Sequence, residues 1–248
     1  VRNFQCDLAI ASDVQPGIVA LKAALDELEL SEKAAPRRAQ WAARNKANRQ
    51  AVLASAEADE AGGITKNLVS LCLSRVLGDR KASVLSELGC PPAPMALNHW
   101  QAWYQEPHAG GLGWCFPAAL GMKLSTPDRT VVATMGDGSY MFSNPVVCHQ
   151  IAEALDLPIL VIVLNNAEWG AVRRSVLDHY PDGYAARSNR MPLTQLSPVP
   201  DFTHVAKASR AFAARVEQAA DLESALKEAL KQIEQNKTLA FLDVVVSR

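Results

Sequence analysis

The stretch Thr130-Val131-Val132-Ala133-Thr134-Met135-Gly136-Asp137-Gly138-Ser139 decides the fold of this chain. Its first six residues are apolar or β-branched and end in a glycine-flanked aspartate. Such a run reads as a strand buried on both faces of a parallel sheet. Beyond the turn, Val146, Val147, Ile151, Ala154 and Leu155 recur at helical spacing and predict a helix with an apolar face. A second buried run, Ile159-Leu160-Val161-Ile162-Val163-Leu164, ends in Asn165-Asn166. A strand, a helix and a parallel strand make a right-handed crossover, which brings Asp137 and the Asn pair to one edge of the sheet. Open α/β sheets bind their ligands at that carboxyl edge. Glycines beside Asp137 permit close approach of a phosphate to the backbone, and free N–H groups at a helix start favour an anion. Asp137 and Asn166 offer hard oxygens of the kind that suit Mg²⁺ bridging a diphosphate.

Outward from this centre the alternation of strand and helix continues from residue 64 to 246, with about six parallel strands. Thr65 is placed to cap a helix carrying Leu68, Leu71 and Cys72. Ala82 to Ser86 reads as a strand leading to Glu87, Leu88, Gly89 and Cys90, and Trp100, Trp103 and Tyr104 read as a short helix. Gly110 to Lys123 and Glu168 to Leu177 read as helices. Residues 179 to 200 contain four prolines and form a long loop, open to reading as a lid or as a surface excursion. Asp201 caps a helix, Ala211 to Val216 is a strand, Asp221 caps the last helix, and Leu239 to Val246 is a buried strand.

The first residues differ in character. Phe4 to Ile10 reads as a strand, followed by a helix with Ile18, Leu21, Leu25 and Leu28. That unit is too small to hold a core alone. Six basic and no acidic residues fall between Lys33 and Gln50. Without interleaved aromatics they read as a solvated helix rather than a nucleic-acid surface. The formal net charge of −1 supplies no pull toward nucleic acid or anionic membrane. No apolar run approaches a membrane span. Five scattered cysteines with no metal-like spacing point to a reducing cytoplasm. No GxGxxG and no P-loop occurs, which argues against nicotinamide and ATP. A non-catalytic α/β nucleotide-binding or regulatory domain is the alternative on these grounds.

The Gly136-Asp137-Gly138 turn, the Asn165-Asn166 pair and the segment Gly110-Gly111-Leu112-Gly113-Trp114-Cys115-Phe116-Pro117-Ala118-Ala119-Leu120-Gly121 together resemble the diphosphate-binding domain of thiamine diphosphate enzymes. The likeness is to acetolactate synthases and benzoylformate decarboxylases, and it extends from about Gly62 to the C-terminus. It implies a six-stranded parallel sheet with helices on both faces over residues 62–248. Residues 1–61 are then a remnant of a middle domain plus a helical linker. A chain that begins at Val1 in mid-element is expected to be a piece of a longer protein.

The resemblance also implies roles. Mg²⁺ would be held by Asp137, Asn166 and the main chain of Glu168; Gly136, Gly138 and Ser139 would face the diphosphate. Gly110 would accept from the aminopyrimidine, and Leu112 would wedge beneath the cofactor and bend it, a proximity effect. The substrate class is 2-oxo acids, by decarboxylation or carboligation. The activating glutamate is expected on a separate pyrimidine-binding domain of a homodimer or homotetramer, so these residues alone should be inactive. Gly89 and Cys90 are secondary candidates at the diphosphate, and Cys90 could equally be a buried apolar residue. His108 and His179 are secondary candidates for the substrate side, and His149 reads as packing. Two departures stand out. The gap between Asp137 and the Asn pair is slightly longer than in benzoylformate decarboxylases, and Trp169-Gly170-Ala171-Val172-Arg173 resembles those more than the synthases.

Overall fold

A computed structural model describes residues 5–28, 30–58, 63–107, 111–188, 191 and 193–247. The chain divides into two compact units, Val1–Gln50 and Ala51–Arg248. In the first, residues 5–13 form no strand, contrary to the sequence expectation, and α1 (Val14–Asp26) buries none of its side chains. Ile18, Leu21, Leu25 and Leu28 do share helical spacing, yet all are exposed. The basic stretch lies within α2 (Ser31–Ala58), whose side chains are mostly exposed, as a solvated helix requires.

The second unit is built on one sheet. Its strands are β1 (Ala82–Glu87), β2 (Trp103–Gln105), β3 (Thr130–Gly136), β4 (Leu160–Asn165), β5 (Phe212–Val216) and β6 (Ala240–Val245). They lie in the order β2-β1-β3-β4-β6-β5, and every pairing is parallel. Parallel neighbours need crossovers, and helices supply them: α3 (Lys66–Leu77), α4 (Cys115–Ser125), α5 (Asp137–Phe142), α6 (Pro145–Ala154), α7 (Gly170–His179), α8 (Tyr184–Arg187), α9 (Phe202–Lys207) and α10 (Ala219–Gln235). Alternate side chains leave the sheet on opposite sides. Val132, Ile162, Leu164 and Leu242 pack with α3 and α10, while Val131, Ala133, Val161 and Phe241 pack with α4, α6 and α9. This is why the central strands read as unbroken apolar runs. The sheet is α/β with helices on both faces, as expected.

Several local expectations change. Trp103 and Tyr104 belong to the edge strand β2, paired with Val84 and Leu85, and not to a helix. Aromatics have high strand propensity, and the backbone of β1 offered them a ladder. The helix after the glycine-rich segment starts at Cys115, because residues 112 and 113 are a turn. Likewise α7 begins at Gly170, since Glu168 pairs with Gln195 in an isolated bridge. Thr65 caps α3 by accepting from Leu68 N at 3.1 Å, and Asp201 caps α9 by accepting from Thr203 N. Asp221 does not cap α10. Gln218 holds that position and Asp221 lies in the first turn, where its charge still complements the helix dipole.

The largest revision concerns α6. Its stripe of Val146, Val147, Ile151, Ala154 and Leu155 is exposed, and Cys148, His149 and Ala152 face the core instead. Asn144, in the left-handed region at φ 55, and Pro145 re-aim the chain after α5. That turn sets which stripe meets the sheet. Periodicity reports a stripe but not the direction it faces.

Candidate functional site

The carboxyl ends of β1, β3 and β4 carry Gly89 and Cys90, Asp137, and the Asn165-Asn166 pair at one edge of the sheet. Register aligns Met135 with Glu87 and Gly136 with Leu164, so Asp137 and Asn165 leave adjacent strands at nearly the same height. Asp137 is 2% exposed. Its Oδ1 accepts from Gly138 N at 2.8 Å, whereas Oδ2 is buried with no partner among the described residues. Burial raises the Asp137 pKa, and backbone N–H groups of Gly138, Ala167 and Glu168 oppose the rise. A buried carboxylate oxygen left without a donor is a position that a cation would satisfy.

The two asparagines divide their work. Asn165 Nδ2 donates to Asp243 Oδ1 at 2.9 Å, and its Oδ1 accepts from Ala167 N at 3.1 Å. Asn165 therefore ties β4 to β6 and shapes the turn. Asn166 spends its side-chain oxygen on Glu168 N at 3.2 Å, an Asx-type turn that leaves acceptor capacity on the amide. The Glu168 carboxylate pairs with Arg173 at 3.1 Å, while its carbonyl accepts from Gly170 N at 2.8 Å and retains a second lone pair. Among the described residues no cluster of three His, Cys, Asp or Glu side chains could hold a metal. One carboxylate, one amide and one carbonyl nonetheless form the sparse hard-oxygen set that suits Mg²⁺, which keeps waters and takes phosphate oxygens as further ligands. The residues fit that ion.

Around this point the backbone is tightly packed. A Cβ on Gly138 would lie 2.1 Å from the Trp169 ring, and Trp169 in turn meets Phe142 edge-on at 5.6 Å. A Cβ on Gly89 would lie 2.4 Å from the backbone of Thr134. The loop leaving β1 therefore crosses the end of β3 only because residue 89 is glycine. Ser139 is buried in α5. Leu112 is 43% exposed in the turn before α4, and Gly110 and His108 lie outside the described residues.

Sequence reading missed the part played by Glu87. Its side chain, 2% exposed, accepts from Gly113 N at 2.6 Å and from Cys115 N at 2.7 Å. It thereby caps α4 and fixes the glycine-rich turn beside the Asp137 strand. A lone carboxylate at the end of an apolar strand was the available signal. Cys90 is buried, and burial pushes its thiol up to about 12, so it is a protonated packing residue at neutral pH. His179 stands exposed at the end of α7 with Nδ1 against Ser175 O. The segment after it is more than a surface excursion. Trp169 N donates to Thr194 O at 2.7 Å and Leu196 N to Ala167 O at 3.0 Å, so it braces the Asn166–Trp169 turn.

Comparison with known proteins gives the family of this domain. The family described as thiamine pyrophosphate enzyme, C-terminal TPP binding domain, matches residues 88–244. The chain belongs to this family. Among relatives of this thiamine pyrophosphate domain, the acetolactate synthase isozyme 3 large subunit of Escherichia coli K12 is 34% identical over 146 residues, 58% of this chain and 23% of that protein. A sulfoacetaldehyde acetyltransferase of Alcaligenes xylosoxydans xylosoxydans is 28% identical over 140 residues, 56% of this chain and 21% of that protein. The solved thiamine diphosphate-dependent 4-hydroxybenzoylformate decarboxylase of Rhodococcus jostii RHA1 superposes with a TM-score of 0.61 at 26% identity, over 73% of this chain and 32% of that one. The match thus spans between a fifth and a third of each of these proteins. No helix among the described residues is long and apolar enough to cross a membrane.

Proposed function

We propose that this chain is the diphosphate- and Mg²⁺-binding part of a thiamine diphosphate enzyme that acts on 2-oxo acids by decarboxylation, carboligation or both. The observation that carries the reading is the buried Asp137 Oδ2, without a partner among the described residues, at the carboxyl edge of the sheet in a domain of the thiamine pyrophosphate family. When bound, the cofactor supplies the electron sink for loss of CO₂. Asp137, Asn166 and the Glu168 carbonyl would hold Mg²⁺ and so anchor the diphosphate. Gly136, Gly138 and Ser139 would offer backbone and hydroxyl donors to phosphate oxygens, Gly110 would accept from the aminopyrimidine, and Leu112 would support the bent cofactor. Glu87 holds the Leu112 turn in place from beneath.

In this reading residues 62–248 are the cofactor domain and residues 1–61 the end of a middle domain with its linker. The carboxylate that activates the cofactor would come from a pyrimidine-binding domain on a second copy, in a homodimer or homotetramer. The exposed Phe142, Val146, Ile151 and Leu155 support an assembled protein, because several exposed apolar side chains on and beside α5 and α6 favour a protein contact. Five free cysteines, four of them buried, suit the cytoplasm.

Calorimetric titration of thiamine diphosphate with and without Mg²⁺, beside Asp137→Ala, tests the reading. Metal-dependent binding that the variant loses is the expected result. Metal-independent binding, or equal binding by the variant, would overturn it. Benzoylformate and pyruvate offered to the assembled enzyme would then separate aldehyde release from carboligation.

A further inference from the structure

An open cleft of about 500 Å³ lies beyond the carboxyl end of β1, beside the Asp137 strand. Lys66, from the first turn of α3, and Arg174, from α7, both line it, together with Leu88, Gly89, Pro91 and Trp103. No Asp or Glu is among the described residues that line it. Two cations facing one space repel each other, an arrangement that a bound anion relieves.

The placement of Lys66 is built. Its Nζ donates to Leu88 O at 2.6 Å, and Leu88 takes a left-handed backbone at φ 54, which turns that carbonyl toward the ammonium. One of the three ammonium donors is thus used to hold the side chain at the cleft, and two remain. Surrounding protein strips water from the ammonium and lowers its pKa. Arg174 adds to that fall, while the Asp137 carboxylate opposes it. Arg174 makes no ion pair among the described residues, although Arg173 beside it is engaged by Glu168. Its planar fork is suited to the paired oxygens of phosphate or carboxylate.

We propose that Lys66 and Arg174 form the receptor for a phosphoryl or carboxylate group of a ligand seated in this cleft. The site stands on this geometry; naming thiamine diphosphate as one source of the anion rests on the functional reading above. The other source is an anionic group of the substrate. The cleft is larger than a phosphate alone requires and carries Trp103 and Pro91 beside the cations, so either source has room for an apolar body.

Inorganic phosphate is the probe, titrated calorimetrically into the chain, Lys66→Met and Arg174→Leu. Each residue as a whole is exposed, although the Lys66 ammonium itself is partly shielded, so the variants are expected to fold, which circular dichroism would check. The expected result is phosphate binding that each variant weakens about ten- to a hundredfold, the range of a charge-assisted contact. Lys66→Arg should recover most of it. Phosphate bound equally by wild type and both variants, or not bound by wild type, overturns the proposal. Repeating the titration with saturating thiamine diphosphate and Mg²⁺ distinguishes the sources. Loss of phosphate binding assigns the pair to the cofactor's own phosphoryl group, and persistence assigns it to a second anion; both support the receptor. If phosphate behaves as expected while thiamine diphosphate with Mg²⁺ fails to bind, the receptor stands and the functional reading falls.

Discussion

Asn165 Nδ2 donates to Asp243 Oδ1 at 2.9 Å, joining the end of β4 to the middle of β6. Asp243 is fully buried, and its other oxygen accepts from Arg215 Nη1. Burial raises the Asp243 pKa, while Asn165 and Arg215 hold it down. The first asparagine of the pair is therefore a structural residue, and the second carries the candidate ligand role. Asn165→Ala should cost about 1.5–3 kcal/mol, the range for a hydrogen bond to a charged group. Asn166→Ala should change stability by less than about 1 kcal/mol while abolishing Mg²⁺-dependent binding of thiamine diphosphate. Urea unfolding beside calorimetric titration reads both, and equal destabilisation by the two variants would refute the division.

Asp137 carries a desolvation cost for an oxygen that no described residue satisfies. Asp137→Asn should therefore leave the metal-free chain as stable as wild type, or more stable by about 1 kcal/mol. Added Mg²⁺ should raise the melting temperature of wild type and leave that of the variant unmoved. A metal effect of equal size in both would show that the ion binds elsewhere.

His149 is buried between Phe116, Tyr140 and Phe241, with Nε2 against the Tyr140 hydroxyl at 2.8 Å. Burial lowers its pKa from 6.5 to about 4. The unfolded chain then binds the extra proton first as pH falls. This group's contribution is complete above about pH 6.5 and declines as pH drops toward 4, by about 3 kcal/mol in all. Subtracting the pH profile of His149→Gln from that of wild type should isolate this slope. A flat difference across the window would show that His149 is not held neutral.

Gly89→Ala would set a Cβ 2.4 Å from the backbone of Thr134, an atom that cannot swing away. A loss of about 1–3 kcal/mol is expected in chemical denaturation. The same variant should weaken thiamine diphosphate binding, because the β1 loop must lift off the end of β3. Wild-type stability would mean that the loop passes β3 at a greater distance than the structure has it.

Much of this was legible in sequence for a definite reason. Strands buried on both faces need unbroken apolar runs, and Thr130–Met135 and Ile159–Leu164 announce themselves that way. The Asp137 turn and the Asn pair follow those runs directly, so their shared edge could be deduced from connectivity alone. Trp103 and Tyr104 were illegible as a strand, because three residues carry no period and only the free edge of β1 decided their state. The exposed stripe of α6 was misread for a related reason: two stripes of one helix compete, and neighbours choose between them.

By itself, then, the chain determined a parallel α/β sheet and the edge at which a ligand would bind, since local apolar pattern and right-handed crossover fix both. Only the tertiary structure decided what depends on residues distant in sequence. Asn165 became structural because Asp243 reaches it from 78 residues away. Glu87 became the cap of α4 because two backbone N–H groups 26 and 28 residues later fold onto it. Lys66 and Arg174 meet across one cleft although no motif joins them. Periodicity acts along one element, while hydrogen bonds and charges act through space, and the latter choose among the faces that the former leaves open.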